Sequence, residues 1–285
     1  MGALTSSALP KQPLFPPPLF FTALAAALAF FLGARLASIP SAPCGALQGA
    51  RSRYGVLRVA LLGDSITLGQ LCGSGGYEKY LAPALGDRHY ALRSFAANGL
   101  LAMAVNATGD DAALHAFFFP RAFSRTPLWP AAQSFDADAY VIMLGTNDAS
   151  ALGIGGGVPG FVRLFGDLIA QLRALPSAPE VFVAIPPPAG PNAQGVNETA
   201  VNGVLRLEAF PALAAATGVP LVDVFSALGG GNASAAAGPL FCDNLHPTAL
   251  GAKRIAKAVY EALWRRLVVK EGWPPFSAAA WPAGD

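Results

Sequence analysis

Five short apolar runs along the chain predict buried strands. Each run is rich in β-branched or aromatic residues and is followed closely by Gly, Asn, Pro or Asp, which is typical of strands inside a parallel sheet. Between the runs, the spacing of apolar residues lengthens to that of helices. The predicted strands are Leu57–Leu62, Tyr90–Phe95, Ala139–Leu144, Val181–Ile185 and Pro220–Val224.

Two longer segments have the apolar spacing of amphipathic helices. Residues 159–175 place five apolar side chains on one helical face, and residues 247–268 do the same from Pro247 in the first turn. Strands that alternate with helices indicate a doubly wound α/β sheet, whose ligands bind at the carboxyl ends of the strands. The apolar face of the first helix consists of Phe161, Leu164, Phe165, Leu168 and Leu172.

The N-terminal region differs from the rest of the chain. Residues 14–36 are apolar, with no charge between Lys11 and Arg35, and are long enough to cross a hydrocarbon core. We expect an uncleaved signal anchor here, with a cleaved signal peptide as the alternative. The predicted divisions are residues 1–37 for this segment, 38–55 for a linker rich in Ser, Pro, Gly and Ala, 56–270 for one folded domain and 271–285 for an irregular tail.

Charge and cysteine content exclude two classes of site. The 285 residues include 19 basic and 17 acidic side chains, and no stretch gathers the basic ones into a stripe, so a nucleic-acid partner is not expected. The cysteines Cys44, Cys72 and Cys242 have neither CxxC spacing nor His residues at zinc-ligand intervals. We therefore predict no metal site, and three cysteines allow at most one disulfide.

Three N-x-[ST] triplets favour a secretory location. They begin at Asn106, Asn197 and Asn232 and are acceptor sites for N-glycosylation. Their presence predicts a lumenal or extracellular domain. The protein would be a single-pass membrane protein if the N-terminal segment is retained, and secreted if that segment is cleaved.

Three polar segments lie where a doubly wound sheet keeps its site. Residues 63–67 (GDSIT) follow the first predicted strand, residues 145–148 (GTND) follow the third, and residues 243–247 (DNLHP) precede the last helix. A serine esterase needs a nucleophile, a neutral imidazole that accepts its proton, a carboxylate that orients the imidazole, and donors for the oxyanion. The three segments supply all of these groups.

These segments resemble the blocks of the SGNH, or GDSL-like, hydrolase family over about residues 57–267. The resemblance implies that Ser65 is the nucleophile, that Asp243 and His246 complete the triad, and that Ser65, Gly99 and Asn147 form the oxyanion hole. The block around Gly99 departs from the family pattern because Ala102 stands where members often have a second glycine. The implied fold is a three-layer α/β/α sandwich with a five-stranded parallel sheet, which is flavodoxin-like.

Within that family, several stretches of the sequence look most like those of carbohydrate esterases and sialate O-acetylesterase-like proteins. We therefore expect a serine esterase that removes small acyl groups, acetyl above all, from a carbohydrate and needs no cofactor. A lipid esterase or lysophospholipase is the first alternative, and a glycan O-acetyltransferase or a non-catalytic glycan-binding protein is the second. The oligomeric state is left open. The stretches that resemble these esterases are VIMLGTNDAS, APEVFVAIPPP, LVDVFSAL and LHPTALGAKRIAKAVYEAL.

The remaining polar residues near these segments receive structural interpretations. Asp64 is expected to accept backbone hydrogen bonds in its turn, and Asp148 to cap or brace a loop. Catalysis would bring Cys72 and Cys242 close together, because they flank the nucleophile and the acid–base segment. A disulfide between them and a pair of buried free thiols are equally compatible with the sequence.

Overall fold

A computed structural model describes residues 55–104, 121–152, 155–230 and 235–277. Within these ranges, five parallel strands form one sheet in the order β2-β1-β3-β4-β5, the order of flavodoxin-like folds. All five predicted strands are present, and the predicted fold class is confirmed. The strands are β1 (Leu57–Gly63), β2 (Tyr90–Ala96), β3 (Ala139–Met143), β4 (Glu180–Ala184) and β5 (Leu221–Val222).

Helices cover both faces of the sheet. The helices are α1 (Ser65–Leu68), α2 (Glu78–Leu85), α3 (Leu128–Phe135), α4 (Asp148–Ala151), α5 (Gly157–Arg173), α6 (Phe210–Thr217), α7 (Val224–Ala227) and α8 (Ala249–Leu263). Two π-helical segments extend them, Ala200–Ala209 before α6 and Trp264–Lys270 after α8. Short 3₁₀ turns occur at Phe123–Arg125 and Ala235–Ala237.

The alternation of side chains along β1 produces two separate cores. Ala60 and Leu62 point into the core formed with α3, α5 and α6, whereas Val59 and Leu61 point into the core formed with α2 and α8. Because successive strand residues face opposite sides, a strand covered on both faces must be apolar throughout. This explains why the strands are continuous apolar runs in the sequence.

The position of β1 defines the functional edge of the sheet. β1 pairs with β2 on one side and with β3 on the other, so the chain changes direction across the sheet at this strand. Gly63, the last residue of β1, lies opposite Ala96 of β2 and Met143 of β3. The loops that follow these three strands therefore leave the sheet beside one another, where such folds bind ligands.

The last helix begins later than its spacing predicts. Pro247 is not in its first turn; it forms an isolated antiparallel bridge with Phe241, and the side chain of Thr248 caps the helix by accepting from the Gly251 N–H. The bridge at Pro247 and the extended backbone of Thr248, the N-cap residue, delay the start of the helix. The helix predicted for residues 159–175 is α5, which begins two residues earlier, and the helical segments between residues 200 and 217 had no predicted counterpart.

Residues 271–277 have no helix or strand but pack on the domain. Phe276 is buried, with its ring centroid 5.0 Å from that of Tyr90 and 5.4 Å from that of Trp264. No helix in the described ranges is long and apolar enough to cross a membrane. The predicted N-terminal segment, nearly all of the predicted linker and residues 278–285 lie outside the described residues.

The close approach of α8 to the preceding turn provides a test of this packing. A Cβ at Gly251 would lie 2.3 Å from the Leu240 carbonyl oxygen, so Gly251→Ala must displace the turn or the helix. We expect the free energy of unfolding to fall by roughly 1–3 kcal/mol, as in other overpacked cores. Denaturant unfolding of the two proteins measures this difference.

Gly203→Ala is the matched control, because a Cβ at Gly203 has no atom within 4 Å. It should leave stability unchanged or raise it by up to about 1 kcal/mol, since alanine favours helical backbone. Equal stabilities of the Gly251 and Gly203 variants would contradict the packing described here.

Candidate active site

The nucleophile candidate begins the short helix after β1. Asp64 is the N-cap of α1, and its Oδ1 accepts from the Ile66 N–H at 2.9 Å. Ser65 follows as the first helical residue, where backbone N–H groups have no partner within the helix. Its hydroxyl oxygen lies 2.9 Å from Nε2 of His246, although the two residues are 181 positions apart. Ser65 is 8% exposed and His246 4% exposed.

The tight turn of residues 243–247, here called the acid–base turn, presents the candidate acid Asp243 and the candidate base His246 together before α8. Oδ1 of Asp243 accepts from the backbone N–H groups of Leu245 (3.1 Å) and His246 (2.6 Å), while Oδ2 lies 2.7 Å from Nδ1 of His246. Asn244 adopts the left-handed conformation, with φ of 64°, which lets the turn fold back on itself. One five-residue segment thus holds the imidazole of His246 against the carboxylate of Asp243.

Hydrogen bonds also set the charge state of Asp243. Partial burial raises the pKa of its carboxyl group, but the backbone N–H and the imidazole of His246 outweigh burial, so the pKa lies below its ordinary value. Asp243 is therefore an anion at neutral pH, which is the state that can orient an imidazole ring and stabilise its protonated form.

Asn147 lies beside the nucleophile turn. Its side-chain Nδ2 donates to the Leu100 carbonyl oxygen at 3.0 Å and to Oδ2 of Asp64 at 3.3 Å. Leu100 directly follows Gly99, whose φ of 73° is in the region that favours glycine. The structure thus brings the Gly99 segment, Asn147 and the Asp64–Ser65 turn to one place at the carboxyl edge of the sheet.

The carboxyl groups of Asp64 and Asp148 are fully buried beside these segments and form hydrogen bonds with them. Burial, together with the nearby charge of Asp148, raises the pKa of Asp64 to about 7. Burial also raises the pKa of Asp148, to about 6, although its oxygens accept from the Ala102 and Met103 N–H groups at 3.0 and 2.8 Å. Asp148 has the bracing position expected of it, and Asp64 accepts the backbone bond expected of it as well as a bond from Asn147.

A disulfide joins the two sides of the site. Cys72 and Cys242 are bonded, with Cα atoms 6.1 Å apart and 170 positions between them in the chain. The Cys242 N–H donates to the His246 carbonyl oxygen at 3.0 Å, and Sγ of Cys72 lies 3.2 Å from the same oxygen. The bond therefore connects the segment that follows Ser65 to the acid–base turn.

Cys72, Cys242 and Asp243 are the described His, Cys, Asp and Glu residues that group closely enough to suggest a metal ion. Their ligand atoms lie within 4.8 Å of one another. The two sulfurs are bonded to each other and offer no thiolate, and the Asp243 carboxylate already binds four donors in this turn and the neighbouring loop. The group fits a structural and positioning role better than a metal centre.

Comparison with known families identifies the chain. The model of the GDSL-like lipase/acylhydrolase family matches residues 61–254. The chain belongs to that family. Membership confirms the resemblance noted in the sequence and the enzyme class, a carboxylic ester hydrolase. The matched residues run from β1 into α8 and include every candidate residue of the site. No curated protein matches the chain significantly.

Solved structures show the same fold at low sequence identity. The aryl esterase of M. smegmatis is 20% identical with a TM-score of 0.51, and covers 74% of this chain and 99% of its own. A carbohydrate acetylesterase from Sinorhizobium meliloti is 18% identical with a TM-score of 0.52, covering 73% and 99%. An acetyl xylan esterase is 19% identical with a TM-score of 0.52, covering 73% and 100%.

Sequence reasoning missed one residue in contact with the triad candidates. Nε2 of Gln194 donates to Oδ2 of Asp243 at 2.9 Å. Gln194 lies in the loop between β4 and the helical segment at Ala200–Ala209, and no motif surrounds it. Only the loop's richness in Asn and Gln could have drawn attention to it.

The raised pKa of Asp64 predicts how stability depends on pH. The pKa of the Asp64 carboxyl group is about 7 in the folded protein and has the ordinary value of 3.8 in the unfolded chain. The folded state therefore binds the proton of this group more tightly. The stabilisation of the folded state by this proton is complete below pH 3.8 and is lost as the pH rises through about 7. The free energy of unfolding should therefore fall between pH 5 and 7.5 more steeply in the native protein than in Asp64→Asn, measured by denaturant unfolding.

Asp167→Asn is the control for this measurement, because Asp167 lies on the exposed face of α5. It should keep the native pH dependence. An Asp64→Asn protein with the native slope would show that Asp64 does not titrate in this range.

Proposed function

We propose that the protein is a serine esterase that hydrolyses small acyl esters, acetyl above all, on a carbohydrate. The observation that supports this most directly is the continuous line of contacts from Ser65 Oγ through His246 to Asp243, at 2.9 and 2.7 Å. This is the geometry in which an imidazole accepts the proton of an attacking hydroxyl while a carboxylate holds the ring.

In the proposed reaction, Ser65 attacks the ester carbonyl as His246 accepts its proton. His246 then returns the proton to the leaving sugar hydroxyl, which leaves the acyl group on Ser65. A water molecule, deprotonated by His246, attacks the acyl-enzyme and releases the carboxylic acid, and Ser65 regains its proton. Asp243 remains ionised throughout and stabilises the protonated imidazole. These steps need no cofactor.

The negative charge that develops on the carbonyl oxygen needs donors. We assign these to the backbone N–H groups of Ser65 and Gly99 and to the side-chain amide of Asn147. In the free protein, the amide of Asn147 is held by Leu100 and Asp64, and the bond to Asp64 is the longer, at 3.3 Å. A bond from this amide to the oxyanion would therefore replace the longer of its two hydrogen bonds, the one to Asp64.

The proposed carbohydrate substrate rests on the polar surroundings of Asp243. Gln194 and Ser150 are exposed and form a polar rim: Gln194 donates to Asp243, and the Ser150 hydroxyl bonds the backbone of Gly195 and Asn197. Such groups match the hydroxyls of a sugar. The similar structures include a carbohydrate acetylesterase and an acetyl xylan esterase, which supports the same choice.

A lipid esterase is the second candidate. The long apolar segment near the N-terminus would bring such an enzyme to a membrane, and Leu71, beside Cys72 of the disulfide, is 54% exposed. A glycan O-acetyltransferase would use the same nucleophile, with a sugar hydroxyl in place of the water that attacks the acyl-enzyme.

Removing either end of the proton-transfer line tests the mechanism. Ser65→Ala and His246→Ala should each lower kcat by at least about 10³-fold and be hardly additive, because the groups act as a unit. A serine-reactive phosphonate should label Ser65 in the native protein. Substantial turnover by Ser65→Ala, with the fold intact by circular dichroism, would exclude Ser65 as the nucleophile.

The acyl group is tested with p-nitrophenyl esters of increasing chain length. We expect kcat/KM to be greatest for the acetyl ester and to fall with each added pair of methylenes, because the exposed side chains of Gln194 and Ser150 are polar and do not favour a longer acyl chain. The opposite trend, with long acyl esters preferred, would favour the lipid esterase. Product analysis with a sugar acceptor separates hydrolysis from acyl transfer.

We also propose a lumenal or extracellular location for the domain, either anchored or secreted. Asn197 supports this, because it is exposed, and its Oδ1 accepts from the Ala200 N–H, which turns its amide nitrogen away from the helix. Asn106 and Asn232 lie outside the described residues. Expressed in a secretory host, the protein should lose mass with endoglycosidase, and replacing all three asparagines with Gln should abolish that loss. A cytosolic, unglycosylated product would contradict the proposed location.

A further inference from the structure

The loop of residues 189–197, here called the carboxamide loop, is held in one shape by asparagine side chains. Asn192 closes the loop on itself: its Nδ2 donates to the carbonyl oxygens of Gly190 and Val196 at 2.9 and 3.1 Å, and its Oδ1 accepts from the Val196 N–H at 3.1 Å. Asn202 anchors the start of the loop by bonding both backbone groups of Ala189, at 3.0 and 2.7 Å.

A third asparagine joins the carboxamide loop to the acid–base turn. Nδ2 of Asn244 donates to the Pro191 carbonyl oxygen at 2.7 Å, and the Gly190 N–H donates to the Asn244 carbonyl oxygen at 2.8 Å. The two segments are in close contact, since a Cβ at Gly190 would lie 3.2 Å from Cβ of Asn244. The loop is therefore fixed relative to Asp243, which precedes Asn244 in the chain.

Gln194 extends from this fixed loop to the carboxylate of Asp243. Its Nε2 donates to Oδ2 at 2.9 Å, the same oxygen that lies 2.7 Å from Nδ1 of His246. Oδ1 already accepts two backbone N–H groups, from Leu245 and His246. Both oxygens of the carboxylate thus have two donors each, and Gln194 supplies the one that comes from outside the turn.

We infer that Gln194 is a positioning residue for the proposed triad. It fixes the rotation of the Asp243 carboxylate so that Oδ2 faces His246, and through Asp243 it orients the ring that activates Ser65. This inference rests on the proposed function, because it requires Asp243 to be the acid of the triad. Gln194 does not itself bind the reacting atoms in this role.

The expected effect is that of one hydrogen bond to a charged acceptor at the surface. Loss of the donor lets the carboxylate rotate away from the ring and destabilises the protonated imidazole that forms only during the reaction. An interaction that matters mainly in the transition state lowers kcat and leaves KM unchanged. We expect a decrease of about 3- to 10-fold, the size of a typical single hydrogen bond.

The experiment compares three variants of the full chain on p-nitrophenyl acetate. Gln194→Met keeps the length of the side chain but removes the donor. Gln194→Glu places a second carboxylate against Oδ2 and should lower kcat more than Gln194→Met, because like charges repel. Gln171→Met is the matched control, since the amide of this exposed glutamine donates to Asp167 within its own helix; its kinetics should equal those of the native protein.

A double-mutant cycle with Asp243→Asn shows whether Gln194 acts through Asp243. Added to Asp243→Asn, Gln194→Met should have no further effect on kcat, because the carboxylate that it positions is gone. Native kcat in Gln194→Met, a change confined to KM, or full additivity with Asp243→Asn would each overturn the inference. If Asp243→Asn alone keeps native activity, the proposed triad fails, and this result is distinct from failure at Gln194.

Discussion

The pairing of β1 with strands on both of its sides is the constraint on which the site depends. It sets Gly63 level with the ends of β2 and β3, so three loops leave the sheet within reach of one another. The turn that follows has no room for a side chain at Gly63, because a Cβ there would lie 1.9 Å from Oγ1 of Thr67. Glycine thus allows α1 to start immediately after the strand and keeps Ser65 against the sheet edge.

Next to Ser65 and Asn147 in the chain, the protein keeps the carboxyl groups of Asp64 and Asp148 away from water at a cost in stability. Such burial is tolerated when hydrogen bonds satisfy the oxygens, as they do for Asp64 and Asp148. The arrangement fixes three backbone N–H groups, in two segments, and the amide of Asn147 with two short side chains. The rigidity that it provides is useful where an oxyanion is to be bound by donors already in place.

The sequence predicts most of the fold because the strands are buried on both faces, and continuous apolar runs such as residues 139–144 have few other interpretations. It also predicts the residues of the triad candidates, because each follows a strand or precedes a helix in a short, distinctive segment. The helical segments between residues 200 and 217 escaped prediction since Gly203 and Pro211 interrupt their apolar spacing. Gln194 could not be predicted, because its contact with Asp243 depends on how a surface loop folds in three dimensions. The cysteine side chains likewise left two alternatives, as direction and not nearness decides whether sulfurs bond.

The separation of Ser65 and His246 by 181 positions has a consequence for how the protein is made. At a synthesis rate of about 5–20 residues per second, His246 is added roughly 10 to 35 s after Ser65. During that interval the nascent chain contains Ser65 but not His246, and Cys72 has no partner until Cys242 is added. The contact of Ser65 with His246 and the disulfide can therefore form only after residues 242–246 have been added to the chain. An incomplete product that ends before Cys242 would lack the disulfide and would leave the Ser65 hydroxyl without its contact to His246.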